Sequence, residues 1–393
     1  MSATGLMTTY KPMDITFEKG EGVWLYDTQG NKYLDAISGI AVCGLGHCHP
    51  EVTRTLQEQA AKLVHTSNLY RIEHQESLGK RLTEIGQMEA CFFSNSGAEA
   101  NECAIKIARL HGRNKGIEKP SIVVTDQSFH GRTMATLSAT GSRKVQAGFE
   151  PLVQGFVRVP YNDIEAIRKA AQNNNQVVAV MVEPVQGEGG VNIPSDDYLQ
   201  SLRALCDEFG LLLILDEIQT GNGRTGSYFA YQEAGILPDV VTTAKGLGNG
   251  VPIGACLATG EAANTLKPGN HGSTYGGNPL CCATALTVVN TLVDNNLPQR
   301  AKQLGEKFIT DFRSALAGER IVKEVRGKGL MVAIELTKPC AELVGLAKEK
   351  GLLINVTADK VIRLLPALIM SDSEADTLIQ QLSQLIKDWG NTH

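Results

Sequence analysis

Between about residues 51 and 285, apolar runs near 90–94, 121–126, 155–159, 177–183, 211–216, 239–243 and 254–259 alternate with helical patterns that include 98–111, 162–173 and 196–209. Runs such as Leu211–Leu215 show no polar alternation, so they read as strands buried on both faces. Strand and helix in that rhythm mean βαβ units on a mostly parallel sheet. Further on the pattern changes. Helices near 281–294 and 298–317 lead to short strands at 321–325, 329–336, 352–355 and 360–364, then to a closing helix after Ser373. Residues 21–35 read as a hairpin around a Gly30-Asn31 turn. The expected fold is α/β: a large domain over 51–285, and a smaller α+β domain assembled from 1–50 and 286–393.

In an open parallel sheet, ligands sit beyond the carboxyl ends of the strands, so the residues there are the candidates for chemistry. The run Leu211–Leu215 ends in Asp216, with Gln219 close behind, and Val240–Thr243 ends at Ala244-Lys245-Gly246. A carboxylate at the end of a buried strand leaves water at high cost unless a cation or several donors meet it. A lysine beside it can be driven toward the neutral amine, which condenses with an aldehyde. Together they point to pyridoxal phosphate, whose ring nitrogen pairs with an acid and whose aldehyde joins a lysine. The other strand ends agree. Ser94–Ala100 is a small-residue turn opening a helix, suited to a phosphate. Phe129-His130-Gly131-Arg132 sets an aromatic face beside a guanidinium, and Glu183–Glu188 supplies two acids. Taken singly, the Ser96-Gly97-Ala98 turn is commonplace, Phe129 reads as core and Lys245 as a solvated surface residue. Their alignment on one edge of one sheet outweighs those separate readings.

The composition removes other classes. A hydrophobic fraction of 42% with 20% charged residues is that of a soluble globular chain, and a net charge of -5 offers no basic footprint for nucleic acid or an anionic membrane. The apolar runs are strand-sized, too short to span a bilayer. Met1–Leu6 lacks the charged and apolar regions of a signal peptide, and nine cysteines without a CxxC pair argue against a disulfide framework or a zinc ribbon. A cytoplasmic location is expected. His47-Cys48-His49 is too compact to converge on one ion and no metal is expected; Cys281-Cys282 reads as buried packing near a helix start. Gly221–Gly226 satisfies G-x-G-x-x-G, but it begins five residues past its strand end and opens no convincing helix, so it reads as a structural turn.

The motifs that carry a family resemblance run in order along nearly the whole chain, from Gly46-His47-Cys48-His49-Pro50 to Arg363. They are Asn95-Ser96-Gly97-Ala98-Glu99-Ala100-Asn101-Glu102, Phe129-His130-Gly131-Arg132, Val182-Glu183-Pro184 with Gln186-Gly187-Glu188, Leu215-Asp216-Glu217-Ile218-Gln219-Thr220-Gly221, Ala244-Lys245-Gly246-Leu247-Gly248 and His271–Pro279. The chain resembles the class III (ω-amino acid type) aminotransferases of the fold-type I pyridoxal phosphate superfamily. Gly39-Ile40-Ala41-Val42 and Thr66–Tyr70 make it most similar to the acetylornithine branch.

The resemblance implies roles. Lys245 would hold the coenzyme covalently and move the proton, and Asp216 would keep its ring nitrogen protonated. Gln219 would meet the phenolic oxygen, Phe129 the ring face, and Ser96, Gly97 and Ala98 the phosphate. Thr274 would reach the phosphate of a neighbouring subunit, which implies a homodimer with shared sites. Arg132, with Ser273 nearby, would take the distal carboxylate of N-acetylornithine and of 2-oxoglutarate; Arg363, covered by Glu188, would take the second carboxylate of 2-oxoglutarate. A structural ion pair at Arg363 is the competing reading of that arginine. Ornithine-specific relatives carry a tyrosine near Gly39-Ile40; the small and aliphatic residues here leave room for an acyl group, while Arg71 alters the outer wall of the pocket. Succinylornithine, N-succinyl-diaminopimelate or 4-aminobutyrate transamination stays open, as does a nucleotide-binding oxidoreductase outside the class.

Overall fold

The computed structural model describes residues 5–392, so the reading of the first four residues lies outside them. Fifteen strands, β1 to β15, form three sheets among these residues. The first sheet has order β1-β2-β3-β13, from Phe17–Glu21, Trp24–Asp27, Lys32–Asp35 and Leu352–Leu353. The central sheet has seven strands, β4 (Ala90–Ser94), β5 (Ser121–Thr125), β6 (Phe156–Val159), β7 (Val177–Val182), β8 (Leu212–Asp216), β9 (Val240–Thr243) and β10 (Gly254–Ala258). Their order is β4-β10-β9-β8-β7-β5-β6. The third sheet, β11-β12-β15-β14, uses Val322–Lys328, Met331–Leu336, Val361–Leu364 and Asn355–Thr357.

In the central sheet, β7 and β8 are buried at every position, which is why their sequences run without polar alternation. Only β10 runs antiparallel to its neighbours β4 and β9. The carboxyl ends of β4, β5, β7, β8 and β9 therefore share one edge, and the start of β10 joins them there. The helix Gly97–Asn114 packs across the sheet with Ala100, Cys103, Ala104, Ile105, Ile107 and Ala108 buried. Local signals end the flanking helices: Asp163 Oδ1 accepts from Ala166 N at 2.8 Å to start Ile164–Asn173, and Gly210 at φ 64 stops Tyr198–Phe209. Ser371 and Glu374 form a capping box that opens the closing helix Asp372–Gly390.

The structure refines two expectations. The hairpin at 21–35 is present as β2 and β3, and it gains β1 on one side and β13 on the other. The strand expected at 352–355 is two strands: Leu352–Leu353 pairs in parallel with β3, and the chain then changes sheet at Ile354, so Asn355–Thr357 pairs with β15. A continuous apolar run does not reveal such a change of partner, because its pattern encodes burial and not the neighbour. Gly221–Gly226 is a buried turn that opens no helix; the Arg224 guanidinium within it donates to the carbonyls of Leu330 and Pro366.

Candidate active site

The shared strand edge opens on a cavity of about 400 Å³, with Lys245, Asp216, Gln219, Phe129, Arg132, Glu188 and the Ser96-Gly97-Ala98 turn in its wall. Asp216 is 3% exposed and three donors hold it. Its Oδ2 accepts from Asn101 Nδ2 at 2.8 Å and meets His130 Nδ1 at 2.7 Å, while Oδ1 accepts from Ile218 N at 3.1 Å. Thr242 Oγ1 in turn donates to Asn101 Oδ1 at 2.7 Å, which fixes that amide's orientation. Three donors thus replace the water that this buried side chain has lost.

Lys245 follows β9 at φ 43, a left-handed conformation uncommon for a residue with a side chain and typical of functional positions. Burial pulls its amine below the ordinary lysine pKa, against the opposing charges of Glu188, Asp216 and Glu183. At β4 the chain turns into the helix Gly97–Asn114; Ser96 Oγ accepts from Glu99 N, and the first N–H groups of the helix are left to an outside acceptor. A Cβ at 97 would come within 2.7 Å of the Ile218 side chain, so a residue larger than glycine would have to displace it.

Two acids also line the cavity. Glu183 is buried and accepts from Phe129 N at 3.0 Å and Gly187 N at 3.4 Å; burial and the nearby Asp216 push its carboxyl well above the usual range. Glu188 Oε1 lies 2.6 Å from the Nη1 of Arg363. Burial raises the Glu188 pKa, but the charge and hydrogen bond of Arg363, helped by Lys245 and Gln219, outweigh it and leave the carboxyl below its ordinary value. The Arg363 side chain is 1% exposed against 35% for Glu188, so the acid stands between the arginine and the cavity. Also lining the cavity, the Arg132 guanidinium sits 5.6 Å from the centre of the Phe129 ring.

A sequence profile of the family described as Aminotransferase class-III matches residues 6–386. The chain belongs to the class III aminotransferases. It is 56% identical over 381 residues to the acetylornithine aminotransferase of Nitrosomonas europaea, covering 97% of both chains. It is 50% identical to acetylornithine aminotransferase 1 of Bordetella pertussis, covering 98% of each. Among solved structures it is similar to the ornithine aminotransferase of Toxoplasma gondii ME49, at TM-score 0.96 and 33% identity, with 99% of this chain and 94% of the other covered. It is also similar to the acetylornithine aminotransferase of Elizabethkingia anophelis, at TM-score 0.88 and 32% identity, with 98% and 97% covered.

The coenzyme of the class, pyridoxal phosphate, fits what this aminotransferase places around the cavity. Besides the amine, the held carboxylate and the helix N-terminus, Gln219 has its Oε1 buried with no hydrogen-bond partner among the described residues. A buried amide end without a partner calls for an explanation, and a polar atom of a ligand in the cavity would supply one. Ser273 and Thr274 do not line the cavity of their own chain. Ser273 Oγ accepts from Gly276 N at 2.9 Å and from Asn95 Nδ2 at 3.3 Å, and Thr274 is exposed. Arg71 is exposed and pairs with Glu76 at 2.7 Å. His47 pairs with Asp35 at 2.8 Å.

Sequence reasoning gave no role to Asn101, His130 or Asn355. Asn101 had a legible signal, a polar residue on an otherwise apolar helix face, and such residues are buried only when bonded. Asn355 had none, since a single Asn in a short strand looks like any edge residue.

Proposed function

We propose that this aminotransferase moves the δ-amino group of N2-acetyl-L-ornithine to 2-oxoglutarate, giving N-acetyl-L-glutamate 5-semialdehyde and L-glutamate, a step of arginine biosynthesis. The observation that carries this reading is the Glu188–Arg363 pair, with the acid on the cavity wall and the arginine behind it. N-acetylornithine has no carboxylate beside its reacting carbon, whereas 2-oxoglutarate does. A site serving both needs a cation that is covered for one and open for the other. The names of the relatives support the same substrate pair.

Pyridoxal phosphate supplies the electron sink for the carbanion left when the amine-bearing carbon loses its proton. The chain does the rest. Lys245 Nζ, its basicity reduced by burial, would hold the resting coenzyme and, once the substrate's amine has displaced it and left it a free amine, would be the base that moves the proton at the amine-bearing carbon. Asp216, oriented by Asn101, His130 and Ile218 N, keeps the ring nitrogen protonated. Phe129 would cover one ring face, Gln219 would address the phenolic oxygen, and Ser96, Gly97 and Ala98 would receive the phosphate at the helix N-terminus. Arg132 clamps the distal carboxylate in both half-reactions. Ser273, off the cavity of its own chain, would add a substrate contact in the site of a second copy.

The reading extends to assembly. Thr274, exposed on its own chain, serves the phosphate of a second copy, so the enzyme works as a homodimer. Exposed Leu69, Tyr70 and Tyr275 lie close in sequence to Asn68 and Ser273, which border a separate opening of about 670 Å³, and a partner surface would cover such residues. Residues 51–285 act as the coenzyme domain, with 1–50 and 286–393 as the smaller domain beside it; the three separate sheets support that division. A cytoplasmic location suits nine free thiols.

A donor panel with 2-oxoglutarate tests the function: N-acetylornithine, ornithine, N-succinylornithine, N-succinyl-diaminopimelate and 4-aminobutyrate. N-acetylornithine should have the highest kcat/KM, and a succinylated donor or 4-aminobutyrate ahead of it would displace this reading. The purified protein should bind pyridoxal phosphate and show its yellow absorbance. Lys245→Ala should keep the fold and lose turnover.

A further inference from the structure

Arg363 has a second neighbour besides Glu188. Asn355 faces it directly in the β14–β15 register, and Asn355 Oδ1 accepts from Arg363 Nε at 3.1 Å and Nη2 at 2.8 Å. Two guanidinium donors on one amide atom identify that atom as the oxygen. The side edge of the guanidinium is thereby occupied, and its end edge, Nη1 with the remaining Nη2 hydrogen, is left for whatever approaches from the cavity. Glu188 now takes Nη1 at 2.6 Å. The backbone of Glu188 is tied to the same strand, because Thr357 Oγ1 donates to its carbonyl. Residues 355 and 357 lie on one face of β14. One short strand thus fixes the arginine through its side chain and the acid through its backbone, leaving the acid's carboxyl as the part free to turn.

We propose that Asn355 is a positioning residue for substrate selection, which holds the Arg363 guanidinium so that its end edge meets a carboxylate beside the reacting carbon. This rests on the role given above to Glu188 and Arg363. Because the amide is neutral, it fixes geometry without cancelling charge: when Glu188 turns aside, Arg363 stays in place as a full cation. An aspartate at 355 would supply the same geometry and a permanent counter-charge, so Arg363 would no longer attract a substrate anion.

The test uses the holoenzyme and its Asn355→Ala, Asn355→Asp and Arg363→Met variants. Glutarate, a dicarboxylate of the right length, is titrated by calorimetry, and the glutamate and N-acetylornithine half-reactions are followed separately by coenzyme absorbance. Asn355→Ala should raise the glutarate Kd and the half-saturation for glutamate about tenfold, as expected for the loss of charge-assisted positioning. Its limiting rates and its N-acetylornithine half-saturation should not change. The isosteric Asn355→Asp should weaken glutarate further, about a hundredfold, because the added charge pairs permanently with Arg363. Loss of glutarate binding in Arg363→Met with both Asn355 variants behaving as wild type would overturn the role of Asn355 alone. Unchanged glutarate binding in Arg363→Met would overturn the assignment of Arg363 itself, and the role of Asn355 with it. Equal weakening of both half-reactions in the Asn355 variants would reduce Asn355 to a structural residue.

Discussion

Glu188 faces two demands at one carboxyl: it must neutralise Arg363 while N-acetylornithine reacts and release it for 2-oxoglutarate. Its lowered pKa keeps it ionised at neutral pH, and its partial exposure, 35% of the side chain, gives it somewhere to turn. Glu188→Gln keeps the shape and removes the charge. Glutamate should then react better relative to N-acetylornithine, by roughly ten- to hundredfold in specificity, the scale of a charged hydrogen bond of about 1.5–3 kcal/mol. Half-reactions followed through coenzyme absorbance measure both arms, and equal loss on both substrates would show Glu188 to be only a structural partner. The sequence pattern pointed to the pairing of acid and arginine through the family motif. The partner that keeps Arg363 in place came only with the fold, because Asn355 and Arg363 meet across a strand pair.

At the scale of an element, the short helix Ala230–Glu233 depends on an acid that does no chemistry. Glu217, fully buried one residue past β8, accepts from Ala230 N at 2.9 Å, Tyr231 N at 3.0 Å and Thr220 Oγ1 at 2.7 Å. Burial outweighs these donors and moves its carboxyl from 4.5 to about 7. A raised carboxyl pKa means the folded chain binds the proton more tightly than the unfolded chain does. The stability Glu217 contributes is therefore full below pH 4.5 and is lost as pH rises to about 7. Across that window the loss is on the order of 3 kcal/mol. Thermal unfolding of the apo-protein against its Glu217→Gln variant checks this: the advantage of the wild type should be larger at pH 5 than at pH 8, and a constant difference would contradict it. Elements were legible wherever burial imposed a single pattern, as in β7 and β8. They were not where the pattern was shared by two sheets, as at Leu352–Thr357, or where direction mattered, as for antiparallel β10.

For the whole molecule, the assignment of Thr274 to a partner's site makes a prediction that no single chain can satisfy. A Lys245→Ala dimer should be inactive, and a Thr274→Ala dimer weak at limiting coenzyme. A mixed dimer gathers both lesions in one site and leaves the other intact. Activity at limiting pyridoxal phosphate should rise when the two variants exchange subunits, and exchange without a rise would place Thr274 outside the partner's site. Ser273 and Thr274 lie off the cavity of their own chain, as this arrangement requires.

The sequence alone determined what depends on the order of residues along the chain. Buried parallel strands must be continuously apolar, and a ligand edge must place its chemistry where such strands end. The strand rhythm, Asp216, Lys245, the small-residue turn at Ser96–Ala98 and the Phe129–Arg132 face were therefore all legible. Tertiary structure decided what depends on neighbours distant in sequence. It set Asn101 and His130 on one oxygen of Asp216, Phe129 N and Gly187 N on Glu183, and Asn355 beside the pair formed by Glu188 and Arg363. The reason is physical: burial is written residue by residue in the local pattern, but a hydrogen bond needs two groups that only the folded chain brings together.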